Sequence, residues 1–240
     1  MRDTFSKYLL EKAKSDKKIR LITVDLGFGV FDKFAKSLPD QFINSGVTEQ
    51  SSVSLAAGLS EFSSKIFVYS IANFISFRPL EQIRNDICYM NLNVNIVSIG
   101  SGFSYGTAGY SHHLLEDFSI MSTFPNLSIY TPCDGAETIK SLESMLGTKK
   151  PSYMRIGKGG EQDLSSKLQE NQSLCFEKPD LIFLFCGPIG ENVIAASDTL
   201  VDNGIKALVF SIYIDHESEI EKILSQHPNT KIVTVEEHIL

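Results

Sequence analysis

Short apolar runs of four to six residues recur along this chain with amphipathic stretches between them, and that alternation constrains the fold more than any other feature. The runs fall at 19–24, 65–69, 94–99, 127–130, 152–155, 181–185, 207–210 and 231–235. Strands this short and this apolar are buried on both faces, which is the habit of parallel strands joined by helical crossovers. Between them, Phe5, Tyr8, Leu9 and Ala13 form a stripe at helical spacing. Val53, Ala56, Ala57 and residues 59–62 form another, and Ile139, Leu142 and Leu146 a third. The pattern predicts an α/β fold, a mainly parallel sheet with helices on both faces.

The alternation lapses once. From 157 to 178 the chain reads Gly-Lys-Gly-Gly and then mostly Glu, Gln, Ser and Lys, which is linker composition. This predicts a first domain over 1–160, a linker over 161–178 and a second α/β domain over 179–240. The second segment holds three strand signals and two helices, stops just after a strand, and reads as an incomplete, truncated domain.

Charge narrows the partners. With 22 Lys and Arg against 29 Asp and Glu, the net charge is -7, a poor match to nucleic acid or an anionic membrane, whose phosphates call for a basic face. The apolar runs are too short to span a bilayer and the first residues have no signal-peptide core, so a cytoplasmic protein is expected. Cys88, Cys133, Cys175 and Cys186 lack paired spacing and sit in or beside apolar segments, as buried reduced thiols do.

The string Asn44-Ser45-Gly46-Val47-Thr48-Glu49-Gln50 places Thr48 where it would cap a helix beginning at Glu49. A glutamate in a first turn is, taken alone, usually a solvated partner of the helix dipole. Further on come Phe74 to Asp86 (Phe-x-x-x-Arg-x-x-Glu-Gln-Ile-Arg-Asn-Asp), Gly106-x-x-Gly109-x-Ser111-His112-His113, Pro125-Asn126 and Pro132-Cys133-Asp134. In this order the motifs resemble the pyrimidine-binding domain of the transketolase family over residues 1 to about 160, and the remainder resembles the start of that family's C-terminal domain.

The resemblance implies a fold, a cofactor and a partner. The fold is the thiamine-diphosphate pyrimidine-binding type. The cofactor is thiamine diphosphate, activated when a carboxyl group bonded to its pyrimidine nitrogen favours the imino tautomer, and Glu49 is the matching residue. Phe74 matches the aromatic residue that stacks on the pyrimidine, with Phe77 closing the same pocket. His112 matches a histidine that contacts substrate near its reacting carbons, leaving His113 to packing or the surface. Arg2 and Lys158 match two positions of an anion pocket for the substrate. Gly29 and Gly100 stand there where a Ser and a His would help.

Other residues depart from the family. Ala108 occupies the place of an aspartate that reads a sugar hydroxyl, which implies a changed sugar or sugar-phosphate substrate. No Gly-Asp-Gly occurs, so no Mg²⁺ ligands for a diphosphate are expected here, and the histidine pair is not read as a metal site. A separate diphosphate-binding N-terminal subunit is therefore expected to bring the Mg²⁺, with self-association also expected. The leading function is that of a transketolase-like transferase subunit, active only with that partner. A 2-oxoacid dehydrogenase β-subunit, a deoxyxylulose-phosphate-synthase-like protein and a non-catalytic truncated partner subunit are the alternatives.

Overall fold

In the computed structural model, residues 1–62, 65–174, 176, 178–214 and 216–239 are described. Cys175 lies outside them. Two parallel sheets organise the chain. The first has six strands in the order β2-β1-β3-β4-β6-β5: β1 Ile19–Thr23, β2 Phe42–Asn44, β3 Lys65–Ile71, β4 Val94–Ile99, β5 Ser128–Tyr130 and β6 Ser152–Ile156. Every pairing is parallel.

Burial on both faces explains why. All residues of β4 and β6 are buried, and successive side chains of a strand feed opposite cores. On one face Leu21, Phe67, Tyr69, Val97 and Met154 meet Phe5, Leu9 and Ala13 of helix α1 (Arg2–Ser15). On the other, Ile22, Ile66, Val68 and Ile96 meet Val53, Ala56 and Ala57 of a later helix. That helix is α3 (Glu49–Ser60), which follows the short α2 (Asp32–Ser37). The predicted stripe over 59–62 does not extend to its end, because Phe62 lies beyond the helix and is 84% exposed.

After β3 the chain forms α4 (Ala72–Phe77) and a short turn of helix, α5 (Leu80–Gln82). A π-helical stretch at Ile83–Tyr89 follows, its Ile83 and Ile87 buried. Then come α6 (Asp117–Met121) and α7 (Gly135–Gly147).

The second sheet has three parallel strands in the order β8-β7-β9: β7 Leu181–Phe185, β8 Ala207–Ser211 and β9 Lys231–Val235. Residues 161–178, read as linker, carry helix α8 (Ser165–Ser173). Its polar sequence hides a narrow buried side: Leu168, with Leu164 just before the helix, packs against Phe185, Val193 and Val209. Asn171 Nδ2 donates to the Ala207 carbonyl at 3.3 Å and its Oδ1 accepts from the Val209 amide at 2.8 Å. The segment is thus part of the second core. Helices α9 (Gly190–Asp202) and α10 (His216–Gln226) complete the unit. Among the described residues no helix is long and apolar enough to cross a membrane.

The two sheets are stitched by buried polar groups. Asp134 caps α7 by accepting the Glu137 amide at 2.8 Å, and its other oxygen accepts the Leu164 amide at 3.0 Å and the Ser165 hydroxyl at 3.2 Å. Glu137 Oε2 accepts the Cys133 amide at 2.9 Å and the Ser211 hydroxyl at 3.0 Å. Burial raises the Glu137 carboxyl above the ordinary glutamate value. Ligand atoms of Cys133, Asp134 and Glu137 lie within 4.8 Å of one another, but their carboxylates are committed to these hydrogen bonds. Replacing Asp134 with Ala should lower unfolding free energy by about 2–3 kcal/mol in urea titration, through a lost cap and orphaned buried donors. The same variant should expose α8 to limited proteolysis before the first domain is cut.

Candidate active site

In a parallel sheet all strands end at one edge, and the loops leaving that edge gather whatever chemistry the chain carries. Here the loop after β2 leads to Glu49, β3 runs directly into α4 with Phe74, the loop after β4 carries His112, and that after β6 Lys158. Helix α1 returns to the edge with Arg2 at its N-terminal end.

Glu49 opens α3 and is only 5% exposed. Thr48 sits at the N-cap but does not cap through its side chain; its hydroxyl donates instead to the Ser45 carbonyl at 2.9 Å, tightening the turn before the helix. The carboxylate is met by Arg78, whose Nη1 donates to Glu49 Oε1 at 2.7 Å. The same guanidinium lies 4.0 Å from the centroid of the Phe74 ring. Arg78 belongs to the 74–86 motif, yet its pairing depends on the fold bringing α4 beside the start of α3, a proximity that spacing does not reveal.

The His112 ring packs edge-on to Phe74, centroids 5.1 Å apart. Tyr105 also stands near it, centroids 5.5 Å apart, and the Lys158 ammonium lies 4.7 Å from the Tyr105 centroid. Arg2 comes next, its guanidinium against Gly159. Glu49, Phe74, His112, Lys158 and Arg2 therefore form one continuous band, joined by Arg78, a position of the 74–86 motif with no role attached to it, and by Tyr105, which lies outside the motifs. Phe77 is half-buried one turn on from Phe74, and among the described residues no ring contact joins it to the band.

The adjacent histidines meet different partners. His113 Nε2 lies 2.9 Å from the Gly106 carbonyl, its ring against Phe103 at 5.1 Å. Gly100, at φ +86°, has the Tyr105 ring pressed on it where a β-carbon would project. Burial raises the Tyr105 phenol above its ordinary value, partly offset by the nearby Arg2 charge. Ala108 is exposed and adds no polar group.

This geometry suits a flat, basic heterocycle. A planar guanidinium already bonds the Glu49 carboxylate and lies over the Phe74 face at once, the two contacts an aminopyrimidine would make. The residues present thus fit the pyrimidine end of thiamine diphosphate.

The sequence signature described as transketolase, pyrimidine binding domain, matches residues 1–160. An apulose-4-phosphate transketolase subunit of Phocaeicola vulgatus is 34% identical over 248 residues, covering 99% of this chain and 78% of the relative. The 6-deoxy-6-sulfo-D-fructose transketolase subunit SqwH of Clostridium sp. strain MSTE9 is 28% identical over 99% of this chain and 76% of its own. A solved split-gene transketolase, described as an inactive beta4 tetramer, superposes with a TM-score of 0.84 at 28% identity, covering 99% of this chain and 79% of that one. The chain belongs to the transketolase family, through its pyrimidine-binding domain. It is a transferase subunit of the split type, and the family implies thiamine diphosphate as cofactor.

The Glu49–Arg78 contact is a partly exposed ion pair, since Arg78 is 46% exposed, so its contribution is modest. Arg78→Ala should destabilise the chain by roughly 1 kcal/mol at pH 7, and by less in a Glu49→Gln background. A double-mutant cycle in urea gives the coupling directly.

Proposed function

We propose that this chain is the cofactor-activating subunit of a two-subunit enzyme that moves a two-carbon ketol unit from a ketose to an aldose. The observation that carries the reading is the buried Glu49 carboxylate beside the Phe74 ring at the sheet edge. When bound, thiamine diphosphate supplies a nucleophilic carbon that holds the ketol fragment between donor and acceptor.

Glu49 holds the pyrimidine nitrogen and keeps a proton shared with it in a site closed to water. Phe74 receives the ring face, an aromatic contact worth about 0.5–1.5 kcal/mol beyond area burial. Arg78 gives up both its contacts to admit the ring, and its half-exposed position leaves it room to swing into solvent. Phe77 closes the pocket from the next turn of α4. His112, packed on Phe74, stands beside the reacting carbons, where it orients substrate hydroxyls. Lys158 and Arg2, at the other end of the band, take the anionic end of the sugar. The names of the two relatives, one a sugar-phosphate and one a sulfo-sugar transketolase subunit, support an acidic substrate terminus.

The diphosphate and Mg²⁺ belong to a separate diphosphate-binding subunit in this reading, with self-association of the assembled pair. The domain division follows the two sheets: 1–160 carries the site's residues, and the second unit supports it, taking in α8 of the 161–178 segment as well as 179–240.

The test combines the chain with its diphosphate-domain subunit, thiamine diphosphate and Mg²⁺, and follows ketol transfer from hydroxypyruvate to a panel of aldoses. Glu49→Gln keeps a hydrogen bond and loses the exchangeable acid, so turnover should fall by about 10²- to 10⁴-fold. Cofactor binding without transfer would point to a pairing subunit with no catalytic part; pyruvate as the preferred donor would redirect the reading to synthase-type chemistry.

A further inference from the structure

We propose that Tyr105 is a specificity-determining residue: its ring fixes the distance between His112 and the Lys158 ammonium, so that the site measures the length of the sugar acceptor. The inference rests on the reading above, in which His112 adjoins the reacting carbons and Lys158 holds the anionic end.

A lysine is a compact charge on a flexible four-carbon stem and by itself sets no distance. Lys158 is exposed and follows directly on Gly157, so little packing restrains it. What restrains it is the Tyr105 face, 4.7 Å from its Nζ. The same ring also packs near His112, centroids 5.5 Å apart. One rigid aromatic group therefore links His112 to the Lys158 ammonium.

The ring is itself held. It rests on Gly100, whose positive φ and missing side chain leave a bare surface beneath it. It lies in the segment between Gly102 and Leu114, whose backbones pair as an antiparallel bridge. Within that segment the amides of Gly106, Ala108 and Gly109 donate to the carbonyls of Phe103, Tyr105 and Gly106 at 2.8, 3.0 and 3.1 Å. The loop is a chain of tight turns with the tyrosine pinned at its base.

A cation–π contact needs the ring and not the phenol hydroxyl. Phenylalanine at 105 should preserve the spacing, and an aliphatic side chain should release Lys158. An acceptor whose terminal oxyanion falls at the wrong distance from its aldehyde carbon then reaches the freed ammonium as well as a fitting one does. Phosphate and sulfonate share this chemistry, and the site reads the charge and its position.

The experiment uses the enzyme reconstituted with its partner subunit and three proteins: wild type, Tyr105→Phe and Tyr105→Leu. For each, kcat/KM is measured with phosphorylated aldoses of three, four and five carbons, and with sulfonated counterparts of the same lengths. Wild type and Tyr105→Phe should share one ranking by length. Tyr105→Leu should flatten it by about three- to tenfold, the range a cation–π contact commands. Equal flattening in the phosphate and sulfonate series marks a general oxyanion reader; flattening in one alone names the natural terminus.

A second readout is independent of turnover. In the chain itself the Lys158 side-chain methylene resonances should carry a ring-current shift that survives Tyr105→Phe and vanishes in Tyr105→Leu. Unchanged length ranking in Tyr105→Leu, with wild-type turnover intact, overturns the proposal. So does flattening in Tyr105→Phe, which would assign the effect to the hydroxyl. Absence of ketol transfer in every protein, with the ring-current shift present, fails the functional reading and not the Tyr105–Lys158 geometry.

Discussion

The buried guanidinium of Arg155 is where four parts of the chain meet. It leaves β6 inside the protein, 3.5 Å from Asp117 Oδ2 at the start of α6, and donates to the Leu114 carbonyl at 3.2 Å and the Glu237 carbonyl at 2.6 Å. Tyr153, two residues earlier on the strand, donates to the same Asp117 oxygen at 2.7 Å. A buried pair of this kind is not in itself a source of net stability, but removing one partner strands the other, at about 3–5 kcal/mol. Its structural effect is positional. The loop bearing His112 ends at Leu114, and the last described segment of the second unit lies against it. Glu237 packs on Gly102 and the Ile239 amide donates to the Leu115 carbonyl at 2.9 Å. The second unit thus braces the loop that carries His112, while the residues of the band come from the first.

This division of labour follows from the sheet. Because the interiors of β3, β4 and β6 are buried on both faces, their side chains are taken up by apolar packing and internal hydrogen bonds, and the residues of the band come from loops and helices at one edge. Residues distant in sequence, such as Phe74 and Lys158 with His112 between them, join one band there without any strand bending to bring them together. The helix dipole reading of Glu49 and the catalytic reading are then compatible. The same first-turn position that stabilises a carboxylate also delivers it, enclosed, to the edge.

Parallel strands are legible because their burial writes itself as continuous apolar runs, and the runs at 94–99 and 152–155 coincide almost residue for residue with β4 and β6. β2 left no such trace: Phe42, Ile43 and Asn44 form an edge strand of three residues with only partial burial, too short to stand out. Helix α8 was hidden for another reason. Its sequence is polar because most of its surface is, and its hold on the second core comes from Leu168 and the two-ended amide of Asn171, which resemble linker residues. Glu49, Phe74, His112, Arg2 and Lys158 are singled out in the sequence by the family resemblance, and the fold places them along one edge of the sheet. Arg78 is a motif position with no role attached and Tyr105 lies outside the motifs, because what each does depends on which rings and charges the folded chain sets against it.

The packing of Tyr105 on Gly100 also bears on how such a pocket can change over time. Any side chain at position 100 would need the space the tyrosine ring occupies, and its backbone conformation already disfavours one. A histidine at 100 and a tyrosine at 105 are therefore mutually exclusive occupants of one volume. Either substitution made singly passes through a clash or a hole, so the two positions are bound by strong epistasis, and lineages with different residues at 100 should differ at 105 as well.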